Sequence, residues 1–89
     1  MRIDKFLKIS RVIKRRTEAK YACDSDSIKL NSRTAKAGDT VKVNDKIEIR
    51  SRYKILKIEV LKIPEGNVSI PASRELYRII EEEKIRYDQ

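Results

Sequence analysis

Eighty-nine residues, 22 of them Lys or Arg against 14 Asp or Glu, with no histidine and one cysteine, give a small and strongly basic chain. A chain of this length buries only about 60–65% of its unfolded surface, which excludes a large substrate cavity. The missing histidine removes the commonest general base and metal ligand, and a single cysteine builds neither an internal disulfide nor a usual zinc site.

The first predicted element is a helix over about residues 3–10. Ile3, Phe6, Leu7 and Ser10 share one arc at helical pitch, Lys5 and Lys8 lie opposite, and Asp4 sits in the first turn, where a carboxylate suits the helix dipole. Thr17 as N-cap, followed by Glu18, predicts a second helix. Its buried stripe is Ala19, Ala22 and Cys23, small enough to let the two helices approach closely. Tyr21, beside that stripe, is expected to pack rather than to stack on a base.

Asp24-Ser25-Asp26-Ser27 ends the helix, and these aspartates read as turn residues rather than paired catalytic carboxylates. A strand follows with Ile28 and Leu30 inward and Lys29 outward, then a tight turn at Asn31-Ser32. Val41 and Val43, alternating with Lys42, predict a further strand. Asn44-Asp45 turns the chain into another over residues 46–51. Residues 53–63 (YKILKIEVLKI) read as a long strand whose apolar phase slips. Leu56, Ile58 and Val60 mark one face, Ile55, Leu61 and Ile63 the other, so a bulge or cover on both faces is expected.

Pro64-Glu65-Gly66-Asn67 is a turn, and from about Ala72 a C-terminal helix is expected, lined by Leu76, Ile79, Ile80 and Tyr87. Residues 72–89 hold four glutamates and one aspartate against three arginines and one lysine. Such an acidic helix should stay off phosphates and dock on the Ile55, Leu61 and Ile63 face.

Charge is unevenly placed. Residues 1–42 carry twelve Lys or Arg against five acids, a net +7, and residues 43–89 carry ten against nine, a net +1. Single-sign clustering of this kind is the footprint of a polyanion, by default a nucleic acid, whereas a face that only confers solubility needs no clustering. The candidate RNA-binding residues are Arg2, Lys5, Lys8, Arg11, Lys14, Arg15, Arg16 and Lys20. Lys29, Arg33, Lys36 and Lys42 are weaker, because an ordinary exposed strand face explains each. Arg11, Arg15 and Arg16 should orient the RNA, since guanidinium groups fork onto phosphate, and the lysines should act as point charges. Asp4 is expected to cap or to pair with a neighbouring arginine, and Cys23 to be a buried hydrophobe. There is no glycine-rich phosphate loop, no apolar stretch of membrane-spanning length, and alternating charge rather than an apolar run follows Met1-Arg2-Ile3-Asp4. The expectation is a cytoplasmic binding protein without enzymatic activity or cofactor.

The stretch RIDKFLKISRVIKRRTEAKYACDSDSIKLN, followed by AGDTVKVNDKIEI, resembles the RNA-binding domain named after small-subunit ribosomal protein S-four. Arg-Ile-Asp-Lys-Phe-Leu at 2–7, Ser10-Arg11 and Lys14-Arg15-Arg16-Thr17 carry the likeness as a set, over residues 1–51. The chain is similar to the compact, free-standing members near the fifteen-kilodalton heat-shock protein, and above all to the RqcP group of quality-control factors. The resemblance implies an α+β fold, two short helices packed on a small, mainly antiparallel sheet (the alpha-L motif). The expected organisation is a single RNA-binding domain over 1–89, with its core motif in 1–51 and the strand and C-terminal helix in 52–89. The implied function is to bind stalled large ribosomal subunits carrying peptidyl-tRNA, contacting rRNA and tRNA, while an RqcH-like partner adds alanine to the nascent chain. Recycling of such subunits, or service as an appendage to an RNA-modifying enzyme, are the alternatives, and a monomer is expected. The chain departs from the family at Asp26, Ser32 and Asn44, which stand where the family has glycine. Asp and Asn enter positive φ at modest cost, Ser less readily.

Overall fold

The computed structural model describes residues 1–86. Helices α1 (Ile3–Ile9) and α2 (Arg16–Asp24) come first, then strands β1 (Ile28–Leu30), β2 (Arg33–Thr34), β3 (Lys46–Arg50) and β4 (Lys54–Val60). A single turn of helix, α3 (Ile70–Ser73), precedes strand β5 (Tyr77–Lys84). The five strands form one sheet in the order β2-β1-β3-β4-β5, every pair antiparallel.

The core lies between the helices and one face of this sheet. Ile3, Phe6 and Leu7 of α1 are fully buried, as are Ala19 of α2 and Ile28 and Ile58 of the sheet. Ile47, Val41, Val60 and Leu76 complete it. Helical spacing in α1 and alternation in β1 and β3 therefore point where the sequence pattern says. The outward face carries charges of both signs beside the exposed Ile80. Lys29, Glu48, Lys57 and Glu81 form a ladder of alternating sign across β1, β3, β4 and β5, with gaps of 3.9, 3.7 and 3.5 Å.

The turns keep a glycine-like backbone without glycine. Asn31 (φ 51°) and Ser32 (φ 72°) make a two-residue hairpin between Leu30 and Arg33, the left-handed pair that matches strand twist. Asp26 (φ 62°) and Asn44 (φ 75°) sit in the same region. The Asn31 side chain ties two turns together. Its amide donates to Asp45 Oδ1 at 3.0 Å, and its oxygen accepts the Lys46 N–H at 2.9 Å.

Three sequence expectations are corrected. First, α2 begins at Arg16, after an extended Arg15 (ψ 142°) that contributes no side-chain cap. Thr17 therefore lies inside the first turn and is not the N-cap. Second, residues 41–43 are no strand. Val41 donates its N–H to the Met1 carbonyl at 2.9 Å, and Lys42 donates its N–H to Asp45 Oδ2 at 2.8 Å, so the segment is a loop with Val43 facing solvent. Next to it, Thr40 forms an isolated bridge with Arg2.

Third, the C-terminal helix is a strand beyond the single turn of α3. Strand β4 would otherwise leave its edge unpaired, and residues 77–84 fill it with matched partners. Ile79 stands opposite Ile58 and Tyr77 opposite Val60. Arg78 meets Glu59 at 2.6 Å, Lys57 meets Glu81 at 3.5 Å and Lys54 meets Glu82 at 3.2 Å. The apolar set that reads as a helix face also fits a strand once one residue bulges. The register slips between Lys57 and Ile58, with Ile80 the additional residue on β5. The expected bulge exists, but on the partner strand. Among the described residues no C-terminal helix exists to cover Ile55, Leu61 or Ile63, and Tyr87 lies outside them.

Candidate nucleic-acid interface

The turn between α1 and α2 is built to display cations. Ser10, buried at the end of α1, donates its hydroxyl to the Leu7 carbonyl at 3.2 Å, and Arg11 follows in the left-handed region at φ 63°. The Ile13 N–H closes back on the Leu7 carbonyl at 3.1 Å. Val12 and Ile13 are half-buried against the core and pin the turn. Arg11, Lys14 and Arg15 are left in solvent.

Asp4 organises the adjoining surface. Its carboxylate is buried, yet it gathers two half-exposed guanidinium groups. Arg2 donates from Nε and Nη2 to the two carboxylate oxygens at 3.2 Å each, and Arg16 Nη2 lies 3.6 Å away. The Lys5 N–H adds a 2.8 Å bond to Oδ1. A buried carboxylate so paired holds both arginines in fixed directions while their outer edges stay in water, free to meet phosphate oxygens. Arg2, Asp4, Arg16, Thr17 and Lys20 line a concavity of about 320 Å³. The expected pairing of Asp4 with a neighbouring arginine holds twice over.

The other candidates divide. Lys5 and Lys8 are half-buried on α1. Lys36 is exposed on the loop whose Ala37 and Asp39 carbonyls accept the N–H groups of Asp4 and Ile3, so it borders the Asp4 cluster. Arg33 is exposed on the edge strand β2. Lys29 is engaged in the outward ladder with Glu48.

Tyr21 is not packed. It is 74% exposed, because it stands two positions from both Ala19 and Cys23 and so on the far side of α2 from the buried stripe. A second basic group also escapes a reading of the sequence. Arg50, Arg52 and Lys54 flank the exposed Tyr53 in sequence at the β3–β4 hairpin, with the Arg52 guanidinium 5.4 Å over the Tyr53 ring. Its signal is RSRYK at 50–54, hidden because that half of the chain is near neutral overall.

Cys23 is buried, and burial, followed by the nearby charges of Asp4, Asp24 and Asp39, pushes its thiol up to about 11. It is a poor nucleophile, as its place in the stripe suggests. Among the described residues no group of His, Cys, Asp and Glu is placed to hold a metal ion, and no helix is long and apolar enough to cross a membrane.

The chain has relatives among known proteins. Residues 1–47 match the family model of the S4 domain. Over 85 residues the chain is 44% identical to the RQC P-site tRNA stabilizing factor of Streptococcus pneumoniae, with 96% of each chain covered. The protein of the same name from Halalkalibacterium halodurans is 45% identical over 85 residues, again with 96% of each chain covered. The solved structure of heat shock protein 15 from Vibrio cholerae, described as trimeric, superposes with a TM-score of 0.82 at 26% identity, covering 89% of this chain and 80% of that one.

Proposed function

Because the chain belongs to the S4 domain family, and is alike over nearly its whole length to relatives named RQC P-site tRNA stabilizing factors, we propose that it is an RNA-binding factor of ribosome-associated quality control. It binds stalled large ribosomal subunits that carry peptidyl-tRNA, contacting rRNA and tRNA phosphates through Arg2, Arg16 and Lys20 around Asp4 and through Arg11, Lys14 and Arg15 on the adjoining turn. The observation that carries this reading is the pair of arginines held by one buried carboxylate beside an exposed basic turn. Recognition is by backbone and shape, since the narrow major groove of duplex RNA hides its base edges. The protein acts as a monomer without cofactor, holding tRNA in place while an RqcH-like partner extends the nascent chain with alanine.

The test is co-sedimentation with large subunits carrying peptidyl-tRNA. Arg15→Glu combined with Lys20→Glu should weaken binding at least tenfold. The slope of log affinity against log salt should fall by about 0.7–0.9 for each phosphate that is no longer neutralised. Arg16 is left unchanged in this variant because a glutamate there would face the buried Asp4. Unchanged binding by the folded variant would remove this surface from the interface. Alanine tailing reconstituted with the RqcH-like partner, with and without this protein, tests the supporting role.

A further inference from the structure

A second concavity, of about 550 Å³, lies along α2 and shares Thr17 with the Asp4-centred one. Its floor is apolar, built by Val12 and Ile13 of the basic turn, Ala22 of α2 and Leu56 of β4. Tyr21, three-quarters exposed, forms a wall, and Lys14, Arg50 and Lys54 stand at the rim. Glu18 is the one acid among the lining residues, and its carboxylate lies 3.7 Å from Arg15. Lys54 is shared with Glu82 at 3.2 Å, which leaves Lys14 and Arg50 as the main cationic groups.

An apolar floor, an open aromatic face and a cationic rim fit a flat, uncharged ring that carries an anion on its edge. That is the chemistry of an unpaired nucleobase with its phosphate, for which stacking on aromatic side chains is the general mode of recognition. The volume lies within the range of about 300–1,000 Å³ usual for clefts that take a small ligand. An acidic peptide would satisfy the rim but has no need of an exposed ring. A hydrophobic peptide would leave the cations unmatched. The groove is also continuous, through Lys14 and Thr17, with the surface assigned above to RNA.

We propose that this groove holds one unpaired nucleotide of the bound RNA, its base stacked on Tyr21 over Val12, Ile13 and Leu56, and its phosphate on Lys14 and Arg50. The inference rests on the RNA-binding reading and adds to it a preference for RNA with an unstacked base. Part of the specificity then comes from the ease with which the RNA can release a base, rather than from its duplex shape alone.

The experiment compares two RNA hairpins with the same stem, one fully paired and one carrying a single unpaired adenosine, by fluorescence anisotropy with the full chain. The bulged hairpin should bind about tenfold tighter, the scale of one base–aromatic stack. Tyr21→Ala should abolish that difference while the paired hairpin binds as before, and Tyr21→Phe should preserve it. Equal affinity of the unmodified protein for both hairpins would overturn the proposal, and is the outcome expected if a peptide occupies the groove. Survival of the preference in Tyr21→Ala would overturn it as well. Arg15→Glu with Lys20→Glu should weaken both hairpins alike. If that variant binds both normally, the failure belongs to the Asp4-centred surface and not to the groove.

Discussion

Ser32 holds φ at 72°, a conformation for which an ordinary L-residue is disfavoured by roughly 1–2 kcal/mol. Its neighbour Asn31 shares the left-handed region but offsets the cost with two side-chain hydrogen bonds, to Asp45 and Lys46. The two should therefore respond oppositely to glycine. Ser32→Gly should stabilise the protein by about 1 kcal/mol, raising Tm by roughly 4–8 °C in a domain of this size. Asn31→Gly should destabilise it by about 1 kcal/mol, as both side-chain hydrogen bonds disappear. Calorimetric melts of both variants check the pair. Cys23 offers a second test at this scale. The folded state raises its thiol from 9.0 to about 11, so folding retains a proton that the unfolded chain releases earlier. The associated stability is complete below pH 9 and is lost as pH rises towards 11. Cys23→Ala should flatten that part of the alkaline decline, and a stability profile unchanged by the substitution would show that the thiol does not contribute. The turns at Asp26, Ser32 and Asn44 are legible from sequence, because the resemblance marks them as glycine positions and the residues found there adopt the same backbone. That Asp4 binds Arg16 as well as Arg2 is not legible, since Arg16 reaches it only when α2 packs on α1.

Among the elements, α1, α2, β1 and β3 follow from local periodicity, and each sits where its apolar spacing puts it. β5 does not, and the cause is non-local. Leu76, Ile79 and Ile80 satisfy a helix, and they satisfy a bulged strand equally well. What decides is the open edge of β4 and the order of charges along it. That order can be tested by exchange. Arg78 meets Glu59 at 2.6 Å across the two strands, and Glu59 is largely shielded from water. Arg78→Glu alone should destabilise by about 1 kcal/mol, and the double exchange with Glu59→Arg should recover most of it, a coupling within the range of about 0.5–3 kcal/mol for touching residues. Independent effects of the two substitutions in urea denaturation would contradict the β4–β5 register. The segment 41–43 misleads for the opposite reason. It alternates like a strand, but Asp45 closes a turn on Lys42, so the ladder cannot extend there. Tyr21 misleads by its proximity in sequence to the buried stripe, although helical geometry puts it opposite.

At the scale of the molecule, one core joins both helices to the sheet, with Phe6 fully buried between them. Phe6→Ala should cost on the order of 3–5 kcal/mol, much of the stability of so small a fold, and an unchanged melting temperature would show that the helices pack otherwise. The sheet's far side has a different consequence. Lys29, Glu48, Lys57 and Glu81 cancel one another in alternation, whereas eight of the twelve basic residues among the first 42 lie on α1 with its N-cap Arg2, on α2 and on their connecting turn, so the excess positive charge is concentrated on the helical side. A body charged on one side and neutral on the other experiences a torque in the field of a polyanion, and turns its helices forward before the surfaces touch. On the RNA-binding reading proposed above, the ladder is expected to act on the rate of productive encounter. Glu48→Gln should leave Arg2 and Arg16 on Asp4 undisturbed, yet give the rear of the molecule a positive pole of its own. Stopped-flow mixing should then show slower productive association at low salt with dissociation unaltered, because more molecules would arrive facing the wrong way.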